Sequence, residues 1–217
     1  MPTRLSFVGT KEKTQMTEAT ANKLSEYDFI VAIDTSGSMG EPVKAGSSVT
    51  RWEAVQEAAM TFIRDIEKID QDGIGLVLFG GANIKAQDGV TSQAVRDVFA
   101  DAAPRGSTPL AEALTAALTL AGKSDKKDFI IVFTDGVPDD RAAAAEVIRK
   151  ASHRQETDDA LTILFVQVGD DAAATKYLEA LDNDLTDCKF DIVDAKTVAQ
   201  AEAFATTADL VLAAIND

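Results

Sequence analysis

The chain of 217 residues predicts an α/β fold: a doubly wound, mostly parallel six-stranded sheet with one antiparallel edge strand and helices on both faces. Three observations carry this. Continuous apolar, β-branched runs such as FIVAI (29–33), IGLVLF (74–79) and LTILFVQVG (161–169) have the composition of strands buried on both faces. Stretches with apolar residues at helical spacing lie between them. Strands that alternate with helices make βαβ units, and these build a parallel sheet covered on both sides.

The elements follow in order. Residues 1–25 are polar and read as a tail; their apolar run, Leu5 to Val8 interrupted by Ser6, is shorter than a secretory signal needs. The domain then spans 26–217. After the strand at 29–33 comes a loop rich in Gly and Ser. RWEAVQEAAMTFIRDIEKI (51–69) follows as a helix, with Val55, Ala58, Ala59, Phe62, Ile63, Ile66 and Ile69 at helical spacing. Trp52 lies on that apolar face and is expected in the core. Asp72-Gly73 separates the helix from the strand at 74–79. Gly80-Gly81 is a tight turn, so NIKA (83–86) returns as the antiparallel edge strand. A short helix, TSQAVRDVF, precedes a longer one, TPLAEALTAALTLAG, with Pro109 suited to its start and Gly122 to its end. DFIIVFTDG (128–136) is a buried strand and RAAAAEVIRKASHR a helix. LTILFVQVG is the next strand and TKYLEALD a helix. KFDIV (189–193) is a last strand, and VAQAEAFATTADLVLAAI one closing helix.

Composition narrows the function. A net charge of −15 argues against nucleic acid, whose phosphates require clustered Lys and Arg, and against anionic membrane surfaces. The same charge attracts metal cations. No run approaches the ~20 apolar residues of a membrane span. The single cysteine, Cys188, excludes an internal disulfide and fits a reducing compartment, hence a cytoplasmic setting. His153, near a helix end among Arg149, Lys150 and Arg154, is expected to be solvated and not catalytic.

The chemistry gathers at strand ends, where ligands of open α/β sheets bind. Asp34, Ser36 and Ser38 alternate as D-x-S-x-S straight after the first strand. Thr108 stands in Gly106-Ser107-Thr108-Pro109 before a helix, and Asp135 ends a central strand in Thr134-Asp135-Gly136. These are two carboxylates and three hydroxyls, all hard oxygen donors that suit Mg²⁺, Mn²⁺ or Ca²⁺. Cys188 and His153 are too few and too far apart for a zinc cage. Taken singly, each donor has an ordinary explanation. Thr108 could cap its helix, the serines could serve a turn, and Asp135 could end its strand. The further acids Asp139, Asp140, Asp170 and Asp171 also follow strands and are expected to make the rim more negative.

Together, the D-x-S-x-S after the first strand, the Gly-Ser-Thr-Pro threonine and the later T-D-G resemble the von Willebrand factor A domain over residues 26–215. All five positions of that family's metal-ion-dependent adhesion site are matched. The resemblance implies that Ser36, Ser38 and Thr108 hold a divalent cation through hydroxyls. Asp34 and Asp135 act directly or through water, and a Glu or Asp of a protein partner completes the shell. It also implies work within larger assemblies, sometimes with AAA+ ATPases. Two other classes fit less well. A haloacid-dehalogenase-like phosphotransferase needs a second carboxylate two residues after the first, where Ser36 stands. A flavodoxin-like phosphate or FMN binder would place two aspartates against a phosphate. The expectation is therefore a non-enzymatic, metal-dependent protein-interaction module.

Overall fold

The computed structural model describes residues 17–217. Six strands, β1 (Tyr27–Asp34), β2 (Ile74–Gly80), β3 (Asn83–Val90), β4 (Lys127–Thr134), β5 (Leu161–Gln167) and β6 (Val193–Thr197), form one sheet in the order β3-β2-β1-β4-β5-β6. All neighbouring pairs are parallel except β2 with β3, which pair antiparallel at the edge. Exposed Lys85, Gln87 and Asp88 on β3 place polar groups along an edge that would otherwise invite another strand.

The two-residue period of each strand sends alternate side chains into two separate cores. Phe29, Val31 and Ile33 of β1 face one core, Ile30 and Ala32 the other. Helices α2 (Arg51–Ile66), α3 (Ser92–Ala100), α7 (Val198–Ala201) and α8 (Thr207–Ile215) contribute to the first. Helices α4 (Leu110–Ala121), α5 (Arg141–Arg154) and α6 (Ala172–Asn183) close the second. In the first core Phe29, Phe62 and Phe129 form an aromatic triangle, with centroids 5.8 to 6.5 Å apart. Trp52 packs edge-on against Phe99 at 5.7 Å and is only 9% exposed.

Four elements differ from the sequence reading. The last strand is Val193–Thr197, not 189–193. The closing helix is two helices, because Thr206 takes the Asp209 N–H on its hydroxyl and starts α8 afresh. The edge strand runs on to Val90. Within the stretch read as a polar tail, Thr17 caps a helix, α1 (Glu18–Leu24), whose Leu24 is buried in the first core. Residues 1–16, including Leu5 to Val8, lie outside the described residues.

At the amino-terminal pole of the sheet, parallel pairing sets Asp28 beside Asp128. Lys126 pairs with Asp28 at 3.0 Å and with Asp70 at 3.3 Å, while one Asp128 oxygen is buried without a hydrogen bond. Burial, with the Asp28 charge adding to it, pushes Asp128 up to about 7. Between its ordinary value and about 7, the folded protein therefore holds a proton that the unfolded chain releases. This contribution is complete at acid pH and is lost as pH rises through about 7. Asp128→Asn is expected to melt above wild type at pH 8, with the difference narrowing as pH falls below about 7 and closing only near the ordinary carboxylate value of 3.8. Parallel melting curves across that range check it; a constant difference would mean that Asp128 does not titrate there.

Candidate functional site

The chain switches from one face of the sheet to the other between β1 and β4: α2, after β1, covers the first core, and α5, after β4, the second. Side chains at the carboxyl ends of those two strands therefore meet at the crevice of the switch. Asp34, the last residue of β1, is fully buried there. Its Oδ2 accepts from Thr134 Oγ1 at 2.7 Å, which ties β1 to the end of β4. Its Oδ1 accepts from the Ser36 N–H at 2.7 Å and so curls the loop back over the strand. Ser36 Oγ lies 3.2 Å from Ser38 Oγ, and Ser38 Oγ donates to Asp135 Oδ1 at 3.0 Å. Four of the five sequence-predicted residues thus form one hydrogen-bonded chain.

Thr108 reaches the same rim by a different route. Its loop is strapped to the end of β1 by Arg105 N–H to Thr35 O (2.7 Å) and Gly37 N–H to Gly106 O (2.9 Å). Gly81 N–H donates to Ser107 O at 2.8 Å. Gly106 has φ +78, and a Cβ there would stand 2.6 Å from Gly81 Cα, so this approach of two loops requires glycine. The Thr108 N–H donates to Asp139 Oδ1 at 3.1 Å, and Asp139 N–H returns to Thr108 O. Pro109 occupies the capping position of α4 and the helix has no side-chain cap, so the capping explanation for Thr108 does not hold. The neighbouring acids have structural duties of their own. Asp139 holds the Thr108 backbone, Asp140 caps α5, and Asp171 caps α6.

Burial pushes Asp34 up to about 7, against the hydrogen bonds from Thr134 and Ser36, and the Asp135 charge adds to the rise. The donors it receives are neutral. A buried carboxylate beside a second one is costly unless a cation joins them. Two acids and three hydroxyls are also the donor chemistry that a hard divalent cation takes. The donor set of Asp34, Ser36, Ser38 and Asp135, with the Thr108 loop strapped beside it, therefore fits such an ion.

The sequence reading missed Arg51, the first residue of α2. Its Nη1 donates to Asp135 Oδ2 at 2.7 Å; its side chain is 12% exposed and that of Asp135 fully buried. The loop before it places it there: Val43 N–H bonds Val49 O, Arg51 N–H bonds Glu41 O, and Pro42 bridges to Thr50. Thr50 then caps α2 in a reciprocal box with Glu53. A signal did exist. A cation in the first turn of a helix opposes the dipole and calls for a nearby acid.

Other residues lie apart from the rim. His153, in the last turn of α5, has Nε2 2.9 Å from Asp187 O and is exposed. Cys188 packs against the second core, and burial pushes its thiol above the usual value. Among the described residues no helix is long and apolar enough to cross a membrane.

A family model described as the von Willebrand factor type A domain matches residues 29–137, from β1 to just past Asp135. The chain belongs to that family. Solved structures share the fold at low identity. The manganese-loaded TRAP protein of Plasmodium vivax is similar at 18% identity, over 83% of this chain and 72% of that one, with a TM-score of 0.59. The SpRpn10 VWA domain is similar at 12% identity, over 82% and 92%, with 0.56. The PilB minor pilin of Streptococcus sanguinis is similar at 13% identity and 0.59 over 87% of this chain, which spans 60% of the length of that pilin chain. No match was found among curated protein sequences.

Proposed function

We propose that the crevice between β1 and β4 holds a hard divalent cation, Mg²⁺, Mn²⁺ or Ca²⁺, and that through it the domain grips an acidic residue of a protein partner. The observation that carries this is buried Asp34, held only by neutral donors and joined through Ser36 and Ser38 to Asp135. The cation would supply a point charge to which a partner's Glu or Asp can bind. This chain's own residues do the rest. Ser36, Ser38 and Thr108 offer neutral oxygens; Asp34 holds the Ser36 backbone N–H, Asp135 the Ser38 hydroxyl, and Asp139 the Thr108 backbone N–H. The loop straps hold the rim before any partner arrives. That the similar TRAP protein is manganese-loaded agrees with such an ion.

The family and this donor set favour an interaction module over an enzyme. The five residues at the rim include no His, Cys or Lys, the Asp135 carboxylate that takes the Ser38 hydroxyl is also tied to Arg51, and Ser36 occupies the place where a phosphotransferase would need its second acid. A partner assembly built around an AAA+ ATPase, and a cytoplasmic setting suggested by the lone Cys188, belong to the same proposal. Capture from cell lysate with Mg²⁺ and with EDTA tests the partner, and partner recovery in EDTA equal to that in Mg²⁺ would overturn metal-dependent gripping. Hydrolysis of phosphate esters that needs Mg²⁺ and disappears in Asp34→Asn would overturn the non-enzymatic reading.

Thr108→Ala separates the metal role from a structural one. Its bonds to Asp139 run through the backbone and survive the substitution. Stability without metal is expected to fall by about 1 kcal/mol or less, and Mg²⁺ affinity by calorimetry to fall at least tenfold. Unchanged affinity would remove Thr108 from the site.

A further inference from the structure

We infer that Arg51 is a built-in counter-charge of the metal site, which weakens its hold on the cation and leaves the loaded site in need of an anion. The inference rests on the metal reading above. Asp135 has both oxygens engaged, Oδ1 by Ser38 and Oδ2 by Arg51. The guanidinium also lies 3.4 Å from Ser38 O and 3.6 Å from Glu41, which is exposed. Its Nε is buried without a hydrogen bond. Gly169, just after β5, makes room for it: φ there is +95, and a Cβ would come within 2.8 Å of Nε. Arg51 is thus seated from three sides: by Asp135, by the loop that carries it, and by a glycine.

The charge count gives the consequence. With both carboxylates ionised, as a bound cation requires, Asp34 and Asp135 against one guanidinium contribute a single net negative charge to the rim. A divalent cation turns this into a single positive charge; without Arg51 it would bring the rim only to neutrality. At a site with little water these charges are weakly screened. Arg51 therefore works against cation binding and for carboxylate binding once the cation is in place. Metal and acidic partner become coupled, each raising the affinity of the other by the same factor.

The experiment uses Mn²⁺ as metal and acetate as the carboxylate probe. Calorimetry measures Mn²⁺ affinity. Water-proton relaxation of the Mn²⁺-loaded protein reports acetate as it displaces metal-bound water. Arg51→Met is expected to bind Mn²⁺ about tenfold more tightly and acetate about tenfold more weakly than wild type, and Arg51→Lys to restore both toward wild type. Arg51→Gln, which keeps a polar head without the charge, replaces Arg51→Met if the latter does not fold. Metal binding that weakens in the neutral variant, or acetate affinity that does not change, would overturn the inference and reduce Arg51 to a group that positions Asp135. Wild type that binds Mn²⁺ no better than Asp34→Asn would instead defeat the underlying metal reading.

Discussion

Mg²⁺ or Mn²⁺ at about a hundred times its Kd is expected to raise the melting temperature by about 5–11 °C. A ligand that binds only the folded state at that excess contributes about 2.7 kcal/mol, and in a domain of this size each kcal/mol moves the midpoint by about 2–4 °C. Asp34→Asn should abolish the rise. It keeps the shape of the side chain but not its charge, and Asp34 is the buried carboxylate that joins β1 to β4 through Thr134. Melting curves of both proteins over a range of Mg²⁺ concentrations, each against EDTA, make the measurement. Equal curves for the two proteins at every concentration would mean that the crevice takes no metal.

Phe62→Ala should lower the melting temperature by about 6–20 °C with or without metal. Phe62 is fully buried on α2 and packs against Phe29 of β1 and Phe129 of β4, so its loss opens a cavity where a helix meets the two central strands. Large-to-small changes at such aromatic sites cost about 3–5 kcal/mol, which converts to that shift. The rise on adding Mg²⁺ should survive, since the triangle lies in the core and not at the rim. A loss under about 1 kcal/mol would show that the neighbouring rings collapse into the space.

The two cores were readable because β1, β2, β4 and β5 each carry an unbroken apolar stretch of at least four residues, and a run of that kind has few places to go but the middle of a sheet. β6 lacks this mark. Only Val193 and Asp194 are buried on it, so the apolar Ile192-Val193 drew the expected strand four residues early. The break between α7 and α8 had a local signature, Thr206 three residues before Asp209, inside a pattern whose apolar spacing looks continuous. The five oxygen donors stood out because their types and places agree. That the structure joins Asp34, Ser36, Ser38 and Asp135 in one hydrogen-bonded chain goes beyond what spacing can say. The helix start marked Arg51 as a cation in need of an acid, but its partner was hidden because Asp135 lies 84 positions away in the chain. Loop 40–50, which carries it there, has no periodicity to read.

Lys23 of α1 donates to Asn216, just beyond α8, at 3.0 Å, so the two ends of the described chain touch. This decides how the domain bears load. A pull between residues 17 and 217 must first part α1 from α8, while β1 stays clamped between β2 and β4 along its length. The rim at the far end of β1 would feel no strain until those terminal helices had let go. In a stretching experiment on residues 17–217, the two end helices would therefore part before the crevice between β1 and β4 is strained.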